Sequence, residues 1–266
     1  MRSYSHHAPV MAVVTGAGSG IGRAVAMELS REPITVLAVG RRLQPLRETA
    51  ALAPGPGEVI SVSADVSSAA GQAEILARLP AEARLAYLVH AAGIFPKAIA
   101  VEITLESWRE VLSTNLDARL FLTQSLIPSL RGGGRVLFVG SQSATTARRG
   151  GMAYCTSMAA SFMLQACLSL ELVEEGIHVA NAIPGPVNTA IIQNSMAADP
   201  AVFPDRAVYA GLKQEGKLIE PSVVGRFYHW LLTATSDDAY RAADWSILDE
   251  RHHAAWLGPG GLYGAS

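Results

Sequence analysis

The sequence predicts an α/β fold: a doubly wound parallel sheet of about seven strands with helices on both faces. Three observations carry this. Short β-rich apolar runs alternate with longer helical stretches, the order that βαβ units need. The short runs are apolar throughout instead of alternating with polar residues, as strands covered on both faces are. No internal repeat or Pro/Ser-rich linker divides the 266 residues, so 1–266 read as one domain.

The elements follow in order. "VMAVVT" (10–15) feeds a Gly-rich turn and the helical "RAVAMELSR". "ITVLAVG" (34–40) precedes "LQPLRETAALA", which stops at the breaker "PGPG". "EVISVSAD" (58–65) leads to a helix over 68–79. "LAYLVHAAG" (85–93), "RVLFVGS" (135–141) and "IHVANAIPG" (177–185) complete the main strands, with helices near 105–130 and 154–175 between them.

Composition narrows the class. Only 17% of residues are charged, below the roughly 25% of an ordinary domain, which favours broad buried faces over disorder. The net charge of −2 offers no basic field for nucleic acid. No run of uninterrupted apolar residues reaches membrane-span length, and the first residues lack the apolar core of a secretory signal. Cys155 and Cys167 lie twelve apart in one helical stretch, out of reach of each other for a disulfide. The expectation is a cytoplasmic protein with no metal, nucleic-acid or membrane partner.

Ligands of doubly wound sheets lie beyond the carboxyl ends of the strands, and the informative residues stand there. In "TGAGSGIG" (15–22), Gly16, Gly20 and Gly22 permit a tight turn, while Ser19 and Ile21 open a helix whose free N–H groups suit a pyrophosphate. In "GRR" (40–42), Gly40 stands where an NAD site places an acid, and Arg41 and Arg42 offer forks to a 2′-phosphate. NADP(H) is therefore the expected cofactor. Asp65, followed by Val66, can accept from an adenine amino group. Ala91, Ala92 and Gly93 are small enough for a cofactor to pass close over the backbone. Each feature also has a bland reading: glycines serve ordinary turns, an Asp after a strand caps a turn, and paired arginines open helices in solvent.

With these landmarks in order, the chain resembles the short-chain dehydrogenase/reductase family over nearly its whole length. The likeness rests on the Gly-rich turn at 15–22, "HAAG" (90–93), Asn115 in "STNL", Ser141 in "VGSQSA", Tyr154 in "AYCTSMAA" and "PGPVNT" (184–189). Thirteen residues separate Ser141 from Tyr154, the spacing that family uses. The resemblance implies a Rossmann fold and an NADP(H)-dependent carbonyl reductase. Ser141 would polarise the substrate carbonyl, Tyr154 would donate the proton, and Asn115 would hold a water in a proton relay. Thr189 and the backbone of Val187, following Pro184, would anchor the carboxamide. Residues 190–219, with Met196, Phe203, Tyr209 and Leu212, would form a lid over the substrate, and Trp245 and Trp256 would line the same pocket or a subunit contact. The helices at 105–130 and 154–175 are apolar on more than one face, which fits the homodimers or homotetramers of the family. A narrower likeness, to its sepiapterin reductase branch, rests on the Tyr154 helix, "GLKQEGKLIEPS" (211–222) and "AADWSILD" (242–249). It implies pterin side-chain ketones or small vicinal diketones as substrates, and Asp244 as the acid that holds a pterin ring.

One position departs from the pattern. The family has YxxxK, and here Met158 stands one helical turn after Tyr154 on the same face. By the resemblance, that lysine donates to the nicotinamide ribose, lowers the Tyr pKa and ends the proton relay. A thioether offers neither an N–H donor nor a charge. A neighbouring cation lowers an acid's pKa by ~1–3 units, and positioned acid–base help contributes ~10²–10⁴-fold, so slow turnover is expected. Three origins stay open: a compensating group, with Arg148, Arg149, Lys97 and His90 as candidates; an NADP(H)-binding protein that has lost turnover; or a Lys-to-Met substitution that inactivates a reductase.

Overall fold

In the computed structural model, residues 8–242 and 244–264 are described. One parallel sheet holds seven strands in the order β3-β2-β1-β4-β5-β6-β7. They are β1 Val10–Thr15, β2 Thr35–Gly40, β3 Val59–Ser63, β4 Arg84–His90, β5 Arg135–Val139, β6 His178–Ile183 and the short β7 Trp245–Ser246. Each apolar run forms the strand it predicts, and every neighbouring pair is parallel.

Helices cover both faces because alternate strand residues point opposite ways. From β1, Ala12 and Val14 join one apolar core and Met11 and Val13 the other. The first core is closed by α1 (Gly20–Leu29), α9 (Pro221–Thr233) and α10 (Asp237–Ala242), through residues such as Val25, Leu29, Phe227 and Tyr240. The second is closed by α3 (Ala69–Leu76), α5 (Ala118–Leu130) and α6 (Met152–Glu171), through Ile75, Leu122, Leu126 and Leu168. Of the described helices, α6 is long and apolar enough to cross a membrane; here its Leu168 fills the second core and its Gln165 donates to Val179 O of β6.

The stretch expected as one helix over 105–130 is α4 (Leu105–Leu112) and α5 joined by a π-helical turn, Ser113–Asp117. Such widened turns recur at functional sites, and this one holds Asn115. The extra apolar faces also show: Phe121, Met163 and Leu170 remain exposed on α5 and α6. At the foot of the sheet, the buried Arg135 side chain donates to Leu231 O, Leu232 O and Thr235 O and pairs with Asp237 at 2.8 Å. It thereby ties β5 to the C-terminal end of α9, where a cation also suits the helix dipole.

Connections leave β1 and β4 in opposite directions, so a crevice opens between their carboxyl ends. The approach there is tight. Gly16 has φ +67°, and a Cβ on it would lie 2.9 Å from Ala91 O and Ala92 Cα. Thr15 Oγ1 fixes the join by accepting from the backbone N–H of both Ala91 and Ala92 at 3.1 Å.

Candidate active site

Two cavities meet at this crevice. The larger, about 360 Å³, lies beyond β5 and β6; the smaller, about 130 Å³, lies beyond β1, β2 and β3. Ala92 and Gly93 line both, so the two cavities adjoin there.

The smaller cavity lies at the Gly-rich turn. A Cβ on Gly22 would sit 2.4 Å from Gly16 O, so the Gly-rich turn folds back on itself as only glycine permits. Gly20, at φ +53°, lies against Thr189, whose Cγ2 is 3.0 Å from where a Cβ would be. Ser19 is the N-cap of α1 and makes no side-chain cap bond, which leaves the helix N-terminus open. Arg41, Asp65 and Val66 line this cavity. Asp65 also serves as a turn former: its Oδ1 accepts from Ser67 Oγ at 2.7 Å and Ser67 N at 3.0 Å, and those bonds hold its carboxyl below the usual range against a burial effect. Arg42, the exposed N-cap of α2 (Leu43–Ala51), lines neither cavity. Glycine cradle and open helix end suit the phosphates of a dinucleotide.

The larger cavity holds Ser141 and Tyr154. Ser141 leaves β5, and its Oγ accepts from Ser143 N at 3.1 Å, which orients the hydroxyl. Tyr154, in the first turn of α6, lines the same cavity. Burial pushes the Tyr154 hydroxyl above its ordinary pKa, opposed by the Ser141 side chain and by the charges of Arg119 and Arg148. The Tyr154 ring stacks on Phe95 with centroids 4.1 Å apart. Met158 lies one turn on, 4% exposed and in the same cavity wall. Asn115 stands behind, fully buried. Its Oδ1 accepts from Ile94 N, and its Nδ2 donates to Ile94 O and Ser157 Oγ; Ser157 Oγ in turn donates to Tyr154 O.

Ile21, Pro184, Val187 and Thr189 line the larger cavity. So do parts of α7 (Ala190–Met196) and α8 (Arg206–Gln214), notably Ile191, Ile192, Tyr209 and Leu212. Met196 and Phe203 do not; Phe203 is fully buried, edge-on to Phe95. Asp244 lies exposed ahead of β7, outside both cavities. Because β7 runs parallel to β6, residue 244 falls before the paired Trp245 and Ala182, short of the strand ends where the cavity opens. Leu248, four residues on, is the one that reaches it. Trp245 and Trp256 are likewise elsewhere, packed with Trp230, Phe227 and His252.

The four candidate compensating groups each have partners of their own, although Arg148 also lines the larger cavity. Arg148 pairs with Asp205 at 2.6 Å and donates to Ser143 Oγ. Arg149 is exposed and donates to Ala201 O. Lys97 donates to Phe95 O, with Nζ 3.9 Å from that ring's centroid, and burial brings its amine down to about 8. His90 is buried against Thr123 Oγ1 at 2.8 Å; burial, then the charge of Arg119, pushes its pKa well down and keeps it neutral. Sequence reasoning passed over Arg119, whose buried side chain does line the cavity. A lone arginine four residues after Asn115, in an otherwise apolar "ARLFLTQSLIPSL" helix, was the available signal.

Residues 10–200 match the family model for short chain dehydrogenases. The chain belongs to that family. This short chain dehydrogenase is an oxidoreductase with a Rossmann fold. It is 33% identical over 184 residues to sorbitol dehydrogenase of Cereibacter sphaeroides, across 66% of this chain and 70% of that protein. It is 31% identical over 193 residues to 2,3-dihydro-2,3-dihydroxybenzoate dehydrogenase of Bacillus subtilis, across 71% and 74%. Among solved structures, a putative NAD(P)-dependent gluconate 5-dehydrogenase from Beutenbergia cavernae, with bound NADP, is 34% identical. Its TM-score is 0.75, over 90% of this chain and 94% of that one.

Proposed function

We propose that the protein reduces a ketone or vicinal dicarbonyl with NADPH, with Tyr154 as the acid. The observation that carries this reading is the pair of hydroxyls, Ser141 and Tyr154, in the wall of one cavity, with a second cavity at the Gly-rich turn sharing Ala92 and Gly93 with it. Bound at that cradle, the nicotinamide cofactor supplies the hydride. Gly16, Ser19, Gly20 and Ile21 would hold the pyrophosphate and Arg41 the 2′-phosphate. Asp65 and Val66 would take the adenine side, and Pro184, Val187 and Thr189 the carboxamide. Arg42 has no part in this reading.

Ser141 polarises the substrate carbonyl through its hydroxyl, and Tyr154 gives up its proton to the oxygen as charge develops there. Asn115 steadies Tyr154 through Ser157 and would present the Ile94 carbonyl to a relay water. Phe95, Ile191, Ile192, Tyr209 and Leu212 make the substrate end largely apolar. A hydrophobic or aromatic ketone, including a diketone or a pterin side-chain ketone, suits these walls better than a polyol, whose hydroxyls would lose water without new partners. The pterin case lacks the acid expected of Asp244. The exposed Phe121, Met163 and Leu170 support a homodimer or homotetramer formed through α5 and α6, and the two free thiols suit a cytoplasmic protein.

The test follows NADPH absorbance against a panel of diketones, aromatic ketones, sepiapterin and keto sugars, with Tyr154→Phe as the control. Turnover that Tyr154→Phe removes is the expected result. Tight NADPH binding without oxidation by any carbonyl compound overturns the reading. Met158, uncharged and buried at the site, favours one alternative: a cofactor-binding protein of the same fold with little turnover. Activity that appears only in Met158→Lys would select it.

A further inference from the structure

The Arg119 side chain reaches the cavity wall from the first turn of α5. It is 4% exposed, and Nη1 donates to Val139 O at 3.2 Å and to Ser161 Oγ at 2.9 Å. Ser161 is on α6, three residues beyond Met158 and seven beyond Tyr154, so all three share one helix face. Val139 is the last residue of β5, two before Ser141. The guanidinium is thus held between the strand that delivers Ser141 and the helix face that delivers Tyr154, next to Met158 in the same wall. No carboxylate neutralises it. Among the described residues it forms no ion pair, its Nε is buried without a partner, and no Asp or Glu lines the cavity.

We propose that Arg119 is a positioning residue for the reaction, supplying from α5 the positive charge that Met158 cannot supply from α6 and easing proton release from the Tyr154 hydroxyl. This rests on the reductase reading of the Ser141–Tyr154 pair. Burial brings the Arg119 guanidinium down to about 10, so it stays a cation at neutral pH, and its charge is the leading cationic influence opposing the burial of Tyr154. The other groups that face Tyr154 are Ser141 beyond β5, Arg148 ahead of α6, Cys155 on α6 and Tyr209 on α8. Those that face Arg119 are His90 of β4 and Tyr228 of α9. Arg148 is bound to Asp205, His90 is neutral, and the Tyr228 hydroxyl donates to Ala182 O at 2.7 Å. Arg119 is the cation of this set with no counter-ion.

Arg119 also clamps α5 to β5 and α6, so the test must separate charge from clamp. Arg119→Gln keeps N–H donors and removes the charge; Arg119→Lys keeps the charge. The Gln variant is expected to lose about ten- to hundredfold in kcat. The pH at which reduction begins to fall should rise by about 1–3 units, with substrate KM and NADPH affinity little changed. Arg119→Lys should retain most activity, and Met158→Lys added to Arg119→Gln should restore both rate and pH profile. Met158→Lys alone should change the rate by less than about threefold, because a cation is already in place; a gain of about a hundredfold would show Arg119 to be electrostatically idle and overturns the proposal, even if the Gln variant fails to fold. An Arg119→Gln protein with wild-type kcat and pH profile also overturns it. If the wild-type protein reduces no carbonyl compound, the reductase reading falls by itself. The alkaline absorbance titration of Tyr154, taken as the difference between each protein and its Tyr154→Phe counterpart, still decides: an upward shift in Arg119→Gln supports the role, and no shift refutes it.

Discussion

Raising the pH should separate the two directions of the reaction. Burial is the largest influence on Tyr154 and drives its hydroxyl above the ordinary value, although Ser141, Arg119 and Arg148 oppose it. A hydroxyl held above the ordinary tyrosine range is protonated at neutral pH. The protonated form is the working acid in reduction, so kcat/KM for the carbonyl should hold level from neutral pH to about pH 10 and decline tenfold per unit beyond. The ionised form is the working base in oxidation, so kcat/KM for the product alcohol should climb tenfold per unit over the same range, as an equilibrium that consumes one proton requires. Steady-state NADPH absorbance at constant ionic strength measures both limbs. Tyr154→Phe should remove ~10²–10⁴-fold of the rate and abolish the alkaline break while leaving NADPH affinity near wild type. Lys97, brought down to about 8 beside Phe95, is the neighbour that titrates within the level region, so Lys97→Met serves as a control. A reduction rate already tenfold lower by about pH 9 in both the wild type and Lys97→Met would refute Tyr154 as a proton donor of raised pKa.

Arg41→Ala should weaken NADPH by about ten- to hundredfold, the worth of one charge-assisted phosphate contact, and leave NADH unchanged in a fluorescence titration; tighter NADH than NADPH binding in the wild type, indifferent to the substitution, contradicts the 2′-phosphate role. Arg135→Met removes a buried donor from the carbonyls of Leu231, Leu232 and Thr235 and takes one partner from Asp237, which keeps His178. Leaving a buried polar group unsatisfied costs about 1–3 kcal/mol, so calorimetry should find Tm lower by roughly 2–12 °C; an unchanged Tm would mean that the network contributes nothing net.

The strands themselves and the place of the informative residues at their carboxyl ends were legible because doubly wound folds write themselves locally. A strand buried on both faces must be apolar along its whole length, and a backbone that folds back as tightly as Gly16 and Gly22 do leaves no room for a side chain. The spacing of Ser141 and Tyr154 was readable for the same reason: one strand end and the helix after it fix both. Residues whose meaning depends on distant packing were not readable. Asp244, expected to hold a pterin ring, and Trp256, expected in the pocket or at a subunit contact, do not line the cavity, since the register of β7 on β6 decides what reaches it. Arg148 and Lys97 looked available, until Asp205 from the segment ahead of α8 and the Phe95 carbonyl proved to hold them. By itself the sequence determined the fold, the family and the hydroxyl pair, because each is a matter of short-range pattern. Only the tertiary structure brought Arg119 into the cavity wall that holds Tyr154, with no counter-ion among the described residues. Whether a buried cation has a counter-ion depends on which side chains three different elements bring together, and no spacing along one chain records that.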